Sequence, residues 1–379
     1  MKSKEAKTAP HIFRVIRVFV FVYIFLVSIS LMSHAFKGFG TPFAEALIST
    51  TSNPFIGLFI GILATSIIQS SSTTTSMVVA FVASGVLSVR GAVPIIMGAN
   101  IGTTVTNTLV ALGHITRKEE FKRAFSGSTM HDFFNIFTVL ILFPIEMATH
   151  FLEKAGIFLA GIFCDMGYLK FTSPIKFVVK PAVYFVDGLV GRLMPASGVL
   201  SYIVILVVAV ILLFLALYNI VNITRSLVAE KADMLFSKVI RKTALLSLLM
   251  GMLFTAIVQS SSITTSLLVP LIAAGVLELE HAFPIVLGAN VGTTITAILA
   301  SFTGNIAGIT IAFVHLAFNV TGILIIYPIK QVRMIPLKVA RFVSEKFSKR
   351  KVLAVAYVLF IFYLLPISLI LLSKIVWKK

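Results

Sequence analysis

The chain has 379 residues, of which 58% are hydrophobic and only 12% are charged, and its formal net charge at pH 7 is +18. So few charges cannot cover the surface of a water-soluble protein of this size, which excludes the soluble classes and predicts the lipid bilayer as a partner. The Lys and Arg residues lie in short runs between apolar stretches, as positive-inside topology requires, so the charge does not indicate nucleic acid. The single cysteine, Cys164, excludes a disulfide framework or a cysteine-based metal site.

Apolar stretches long enough to cross a membrane begin near the N-terminus. The first, Phe19–Met32 with its flanks, follows a basic arm and has no small-residue cleavage site, so we predict a retained span with a cytoplasmic N-terminus. Val199–Val221, Ile309–Tyr327 and Val352–Leu372 also meet the roughly 20 residues that a transmembrane helix needs. The chain is therefore predicted to be a multi-pass protein of the cell (inner) membrane.

A duplicated unit occupies much of the chain. Gln69–Ala111 and Gln259–Ser301 align at a constant offset of 190, and 23 of their 43 positions are identical. Downstream, after a six-residue shift, the segment HDFFNIF that begins at His131 aligns with HLAFNVT at His315. Chance does not produce a match of this length, so the sequence predicts two copies of one structural unit.

Charge indicates that the two copies cross the membrane in opposite senses. The loop before His131 carries four basic residues, whereas the equivalent loop, Ser301–Gly308, carries no charge. Basic loops stay in the cytoplasm, so the first loop should be cytoplasmic and the second external. We therefore predict an all-α polytopic fold of two inverted-topology repeats, which is typical of secondary transporters that bind substrate at the bilayer midplane.

These features divide the chain into predicted units. The first repeat unit is 1–152, with a scaffold span, a hairpin, a broken helix at 92–111 and a span at 130–150. The second, inverted unit is 199–329, with a hairpin, a broken helix at 282–300 and a span at 309–328. Between them, 153–198 is predicted to be an external amphipathic connector, although it carries several basic residues. The last part, 330–379, is predicted to hold an interfacial segment and a C-terminal transmembrane helix.

Each copy contains the polar motif QSSS between apolar segments that are too short to span. About 15 apolar residues precede Gln259 and about 14 follow Ser262, whereas a span needs roughly 20. Two half-length helices that meet at the motif predict a re-entrant helical hairpin in each copy, with tips at Gln69–Ser72 and Gln259–Ser262. Backbone at that depth must face protein or water, so each tip should line a cavity.

A second polar motif, GAN[IV]GTT at Gly98–Thr104 and Gly288–Thr294, interrupts an otherwise apolar span. Glycine, asparagine and threonine disfavour continuous helix, so we predict a break in each span at this motif. A helix that restarts at Thr103 or Thr293 would direct its free N–H groups at an anion. Hydroxyl and carbonyl oxygens of the same segments suit a monovalent cation, and neither motif has an acidic residue nearby that would repel a phosphate dianion. The candidate ligands for an anionic substrate and a monovalent cation are Gln69, Ser70, Ser71, Ser72, Asn100, Thr103, Thr104, Gln259, Ser260, Ser261, Ser262, Asn290, Thr293 and Thr294.

Other polar residues within the spans have a structural alternative. Small and hydroxylated residues are common where transmembrane helices pack closely, and the threonines after each tip suit packing or back-bonding as well as ligation. His131 with Asn135, and His315 with Asn319, share one helical face at i, i+4. We favour a role for these four in bracing the two halves over direct ligand binding.

Asp132 breaks the symmetry of the copies, because Leu316 occupies the equivalent position. We interpret it as a charge at the cytoplasmic end of its span, paired with Arg123.

The paired QSSS motifs, GANIGTTVTNTLVAL, and RAFSGSTMHDFFN followed by LFP-x-E resemble the type II sodium-dependent phosphate cotransporter family. The similarity covers about Gly57–Glu146 and Ser247–Pro328. The resemblance implies a sodium-driven symporter of inorganic phosphate, with both solutes bound between the units and sodium at the QSSS tips; sodium is the co-substrate and no other cofactor is implied. The chain lacks the long cysteine-stapled external loop of animal members, which implies a compact bacterial-type member. A homodimer is one option for its assembly.

Two other classes of function stay open on the sequence. A passive anion channel or an exporter could have the same polar residues lining its pathway. Uptake that depends on a sodium gradient would distinguish a symporter from both. A membrane-embedded enzyme would use Ser71 or Ser261 as nucleophile, but it needs a His or carboxylate base within reach, and each tip lacks one locally. The sequence therefore predicts a transporter rather than an enzyme.

Overall fold

The computed structural model describes residues 2–165, 174–194, 198–239 and 243–376, and every secondary-structure element in these ranges is helical. The predicted all-α class is thus confirmed. The first half of the chain contains α1 (Lys2–Gly38), α2 (Gly40–Thr51), α3 (Pro54–Ile68), α4 (Ser71–Ser84), α5 (Val89–Gly102), α6 (Val105–Leu112), α7 (Lys118–Thr149) and α8 (Phe151–Asp165). The second half contains α9 (Pro174–Leu193), α10 (Val199–Val239), α11 (Ala244–Val258), α12 (Ser261–Ala273), α13 (Leu279–Ser301), α14 (Ile306–Ile326), α15 (Lys330–Lys349), α16 (Val352–Leu359), a π-helical turn (Phe360–Leu364) and α17 (Leu365–Val376).

Within the described ranges, seven helical stretches are long and apolar enough to cross a membrane. The pair α2–α3 is apolar as well but bends by 99° between its two helices. The polytopic class that the composition predicts is therefore confirmed. The seven stretches are Ile12–Gly38, Val89–Leu112, Lys118–Thr149, Val199–Arg225, Leu279–Ser301, Ile306–Ile326 and Val352–Ser373.

The QSSS motifs lie at the turns of two helical hairpins, α3–α4 and α11–α12. The four helices have 15, 14, 15 and 13 residues, so none is longer than about 23 Å, which is less than the roughly 30 Å of a hydrocarbon core. α3 ends where Gln69 takes a left-handed backbone conformation (φ 57°) and its N–H bonds the carbonyl of Thr65 at 2.7 Å. Gln259 (φ 59°) ends α11 in the same way on Thr255, again at 2.7 Å.

A serine caps the helix that leaves each turn. The hydroxyl of Ser70 accepts the N–H of Thr73 at 3.2 Å, and that of Ser260 accepts the N–H of Ile263 at 3.4 Å. Serine is favoured at this position because its oxygen satisfies one of the N–H groups that a helix start leaves without a partner. The third helical residue is thus capped, and the N–H groups before it stay directed at the turn.

Glycines hold the first helix of each hairpin in direct contact with the span that follows the hairpin. A Cβ at Gly98 on α5 would overlap the carbonyl oxygen of Leu58 on α3. Gly288 on α13 stands in the same relation to Leu248 on α11, and further glycines on both sides of each contact are equally enclosed. The backbones therefore touch, as small residues allow between membrane helices.

The structure corrects the predicted break in the GAN motifs. α13 runs without interruption, so the broken helix at 282–300 and a restart at Thr293 are wrong. In the first copy only Thr103 and Thr104 separate α5 from α6; both keep right-handed helical dihedrals, and the two helices form one span. The physical reason is that the glycines serve close packing, while the threonine hydroxyls bond back to carbonyls of their own helices, so no exposed backbone is needed.

The remaining helices form the surroundings of the hairpins. α1 packs along α10, α14 along α8, and α15 along α7. α15 is amphipathic: Leu337 and Ala340 are buried, whereas Lys338 and Lys346 are exposed. Lys122 of α7 and Lys349 both pair with Glu345 of α15, which lowers the pKa of that carboxyl group. The predicted connector takes in α8 and α9, and the predicted last segment takes in α15 to α17. Their residues 166–173, 195–197 and 377–379 lie outside the described ranges.

Replacing Gly98 or Gly288 with alanine should destabilise the protein, because the added methyl group would meet a backbone carbonyl that cannot move independently of its helix. Overpacking of this kind costs about 1–3 kcal/mol of unfolding free energy. The thermal unfolding midpoint of the detergent-solubilised variants measures the loss. Gly161→Ala on α8 is the matched control, since a Cβ there meets nothing within 4 Å. Equal midpoints for all three variants and the parent would contradict the close contact.

Candidate functional site

Both QSSS motifs line one cavity, which we call the tip cavity. Its volume is about 260 Å³, and side chains of α10 complete its wall. None of its lining side chains carries a formal charge. Folding therefore brings together two segments that are 190 positions apart in the sequence. The cavity is lined by Ile68, Gln69, Ser70, Ser71, Ser72, Thr73, Phe214, Leu217, Tyr218, Val221, Ser260, Ser261 and Ser262.

Two helices begin at the wall of the tip cavity. Ser71 is the first residue of α4, and Ser261 is the first residue of α12. The first N–H groups of a helix have no intrahelical partner, and the helix start carries a partial positive charge of about half an elementary charge. The two helix starts therefore bring partial positive charge and hydrogen-bond donors to a cavity without any charged side chain, a combination that suits an anion.

The glutamines of the two tips differ in their contacts. Gln69 is exposed and lines the tip cavity. The side chain of Gln259 does not line the tip cavity. Its Oε1 accepts the hydroxyl of Thr296 at 2.8 Å, and its Nε2 donates to the carbonyl of Ala256 at 2.5 Å. The hydroxyl of Ser72 donates to the backbone carbonyl of Gln259 at 3.3 Å and joins the tips directly. Only the first of the two glutamines thus faces the cavity, a difference that near-identical motifs do not reveal.

The asparagines of the two GAN motifs are buried and bonded across the copies. His131 Nε2 lies 2.7 Å from Oδ1 of Asn290, and His315 Nε2 lies 3.3 Å from Oδ1 of Asn100. Asn135 donates to the backbone carbonyl of Asn100 and accepts from Nδ2 of Asn290, both at 2.7 Å. The histidine of each copy thus contacts the asparagine of the other copy. Such contacts can brace the two halves of the protein against each other.

The structure places seven of the fourteen candidate ligands in the tip cavity and the other seven outside it. Asn319, the fourth candidate brace, donates to the backbone carbonyls of His315 at 3.2 Å and Asn290 at 3.4 Å. Hydroxyls in the GTT segments are engaged within their own helices. Thr103 donates to Ala99, Thr104 to Ile101, Thr293 to Ala289 and Thr294 to Val291, at 2.7–3.0 Å.

Asp132 is fully buried near the middle of α7, so its interpretation as a charge at the cytoplasmic end is wrong. Its Oδ2 accepts the hydroxyl of Tyr357 at 2.9 Å, and its Oδ1 has no hydrogen-bond partner. The expected partner, Arg123, donates instead to the backbone carbonyl of Ala273 at 2.7 Å. A carboxylate inside an apolar span was the signal in the sequence, because such groups are rare and tend to be functional.

Seven membrane-spanning stretches in the described ranges, with a polar cavity where two half-length hairpins meet, define a multi-pass membrane protein of the transporter class. The family model described as Na+/Pi-cotransporter matches residues 24–170 and 212–374. The chain belongs to this family, which consists of transporters rather than enzymes, and the resemblance seen in the motifs is confirmed.

Curated relatives match along nearly the whole chain. Human sodium-dependent phosphate transport protein 2B is 34% identical over 457 aligned positions, which cover 96% of this chain and 66% of the relative. The 2A protein of sheep is 33% identical, covering 94% of this chain and 67% of the relative, and that of rat is 31% identical, covering 100% and 70%. The chain thus spans about two thirds of the length of these relatives. No solved structure matches it.

Replacing His131 or His315 with phenylalanine should destabilise the protein. An aromatic ring is retained, but the side-chain oxygen of Asn290 or Asn100 loses a buried partner, which costs about 1–3 kcal/mol of unfolding free energy. Thermal unfolding in detergent measures the change. His281→Phe is the control, because the His281 side chain is 55% exposed. If all three variants unfold like the parent, the asparagines are not held by these histidines.

Proposed function

We propose that this protein is a sodium-coupled symporter of inorganic phosphate. The family membership supports this, together with the names of relatives as sodium-dependent phosphate transport proteins. The observation that carries the proposal is the meeting of two helix N-termini, those of α4 and α12, at one uncharged polar cavity. Such a pair offers convergent N–H donors to an oxyanion.

Inorganic phosphate binds in the tip cavity in this proposal. Six serine hydroxyls and the amide of Gln69 line it alongside the two helix starts, so each oxygen of the anion can find a donor. No lining carboxylate repels a dianion. A site built from neutral donors and helix dipoles holds the charge in place without an ion pair that would have to be broken at each release. The serines are Ser70, Ser71, Ser72, Ser260, Ser261 and Ser262.

Sodium ions bind at the QSSS tips and at Asp132. The tips expose carbonyl and hydroxyl oxygens where helices are interrupted, and such backbone oxygens coordinate sodium in transporters of this general design. Asp132 adds a buried carboxylate oxygen without a partner, and the hydroxyls of Thr104 and Thr108 face the same carboxylate. Together the carboxylate of Asp132 and these two hydroxyls form an oxygen-only ligand set between two spans. Leu316 stands at the equivalent position of the second copy, which gives that copy no counterpart.

Transport proceeds by alternating access between the two repeat units, residues 1–152 and 199–329. We place the protein in the inner membrane with the N-terminus in the cytoplasm and the units in opposite orientations, as the basic loops require. The recurrence of the same glycine contacts, α3 on α5 and α11 on α13, supports the equivalence of the units. Residues 153–198 connect the units and residues 330–379 flank the second. Assembly as a homodimer stays a prediction.

The lining of the tip cavity disfavours a serine-nucleophile enzyme. Ser71 or Ser261 would need a His or carboxylate base within hydrogen-bond reach, and the lining contains neither. A passive channel or an exporter shares this lining with a symporter. The direction and the coupling of transport therefore decide between them.

Labelled phosphate uptake into proteoliposomes tests the coupling. Uptake should require an inward sodium gradient, and arsenate should compete because it matches phosphate in charge and shape. Imposed potassium and proton gradients are the controls. Equal uptake when potassium replaces sodium would remove the coupling and leave the passive channel.

Replacing Ser71 or Ser261 with alanine should weaken phosphate binding by about tenfold to a hundredfold, because a hydrogen bond to a charged group contributes about 1.5–3 kcal/mol. The measurement is the affinity for phosphate and sodium of monodisperse variants. Thr75→Ala is the matched control, since this hydroxyl bonds back to the carbonyl of Ser71 at 2.8 Å within its own helix. Thr265 is less suitable, because it also donates to the side chain of Asn107 at 2.8 Å. Parent-like affinities in both serine variants would place the ions elsewhere.

A further inference from the structure

A cluster of metal-ligating side chains lies where α7 passes into α8. Among the residues that the structure describes, Glu146, His150 and Glu153 form a group whose ligand atoms all lie within 4.8 Å of one another. None of the three lines the tip cavity. We propose that this cluster binds a divalent transition-metal ion, for which Zn²⁺ is the best fit.

A tight turn brings the three side chains together. His150 follows the end of α7 in a left-handed conformation (φ 54°, ψ 40°), and α8 starts at the next residue. The carboxylate of Glu146 accepts the N–H groups of Leu152 at 2.5 Å and Glu153 at 3.3 Å, so it is fixed between the helices while keeping lone pairs for a further ligand. Glycine would take this backbone conformation more readily than histidine, so the imidazole is present at a conformational cost.

The imidazole has a buried nitrogen that nothing in the protein satisfies. Nδ1 of His150 is shielded from solvent and has no hydrogen-bond partner. It lies 3.6 Å from Oε2 of Glu153, which is too long for a hydrogen bond. Two ligand atoms bonded at the usual lengths to one tetrahedral Zn²⁺ lie roughly 3.4 Å apart. A metal ion between these atoms therefore fits the distance and would satisfy the nitrogen.

The charge and the surroundings of the cluster admit a cation. Arg90 donates from Nε to Oε2 of Glu153 at 3.0 Å, so two carboxylates and one guanidinium leave a net negative charge. The Arg90 side chain is 64% exposed and can act as an outer partner that orients the carboxylate. A cavity of about 360 Å³, lined by His150, Arg90, Met147 and Ser88 among others, adjoins the cluster. It gives a metal ion access and leaves room for a water molecule as the fourth ligand.

The donor set distinguishes this cluster from the sodium sites. An imidazole nitrogen with two carboxylates suits zinc and its neighbours in the first transition row, whereas sodium takes oxygen ligands. The second copy has no such set, because its aligned positions hold Lys330, Met334 and Leu337. The site is therefore no part of the duplicated unit, and its expected effect is to fasten α8 to the end of α7.

Zinc titration of the untagged, chelator-treated full-length protein in detergent tests the proposal. Calorimetry should show one Zn²⁺ bound per chain, and Co²⁺ should give visible absorption bands of a low-symmetry site. His150→Asn keeps a residue that tolerates the left-handed backbone but removes the imidazole, so Zn²⁺ affinity should fall at least tenfold and the Co²⁺ bands should disappear. Glu153→Gln should act in the same direction, whereas Arg90→Gln should keep Zn²⁺ binding.

His281 and Glu278 form an exposed pair whose side chains approach to 3.4 Å, and among the described residues no third ligand joins them. His281→Asn is therefore the matched control and should bind Zn²⁺ like the parent. Thermal unfolding gives a second readout: Zn²⁺ should raise the midpoint of the parent and of Arg90→Gln but not of His150→Asn or Glu153→Gln. Absence of stoichiometric binding, or parent-like affinity in both His150→Asn and Glu153→Gln, overturns the proposal. The two carboxylates then act only as a helix cap and an ion-pair partner.

Discussion

Unpaired backbone N–H groups at the starts of α4 and α12 are the constraint on which the rest of this structure depends. A hairpin of half-length helices exposes such groups at a depth where lipid offers no partner, and each unsatisfied group there costs several kcal/mol. The protein gathers both tips at one cavity, and Ser70 and Ser260 cap one N–H group of each helix. The N–H groups that remain uncapped are the donors that the oxyanion in our proposal would bond. The half-length hairpins are thus costly in a membrane for the same reason that they can offer donors to a ligand.

Rigid backbone contacts hold the tips in position. Lipid tails are as apolar as leucine, so membrane helices gain little from hydrophobic burial against one another and depend on close packing and hydrogen bonds. Gly98 and Gly288 bring α5 and α13 against the hairpins, and His131 and His315 hold the asparagines of the opposite copy. The serines at the helix starts therefore belong to hairpins whose first helices, α3 and α11, pack backbone to backbone against α5 and α13, which favours a defined geometry at the cavity.

The two copies differ where their surroundings differ. Positions 90 and 280 align, yet one is arginine and the other glutamate. Arg90 pairs with Glu153 on α8, and Glu280 pairs with Arg341 on α15 at 2.6 and 2.7 Å. In each copy an ion pair joins the first turns of the span that carries the GAN motif to a later helix, from α5 to α8 and from α13 to α15. The base lies on α5 in the first copy, whereas the acid lies on α13 in the second. A basic α15 fits a cytoplasmic position, so this reversal agrees with copies that face opposite sides.

The sequence by itself determined the all-α membrane class, the duplication and the turns of the hairpins, because hydropathy, span length and repeated motifs are properties of the linear chain. It did not determine how the glycines of the GAN motifs are used: glycine permits both a helix break and a close helix contact, and only the neighbouring helix decides between them. The sequence likewise suggested that Asp132 pairs with Arg123, which is close in the chain. In the structure its hydrogen-bond partner is Tyr357, which is 225 positions away. The tip cavity belongs to the tertiary structure as well, since its walls come from two hairpins and from α10, and a side chain's neighbours across such distances depend on how whole helices pack.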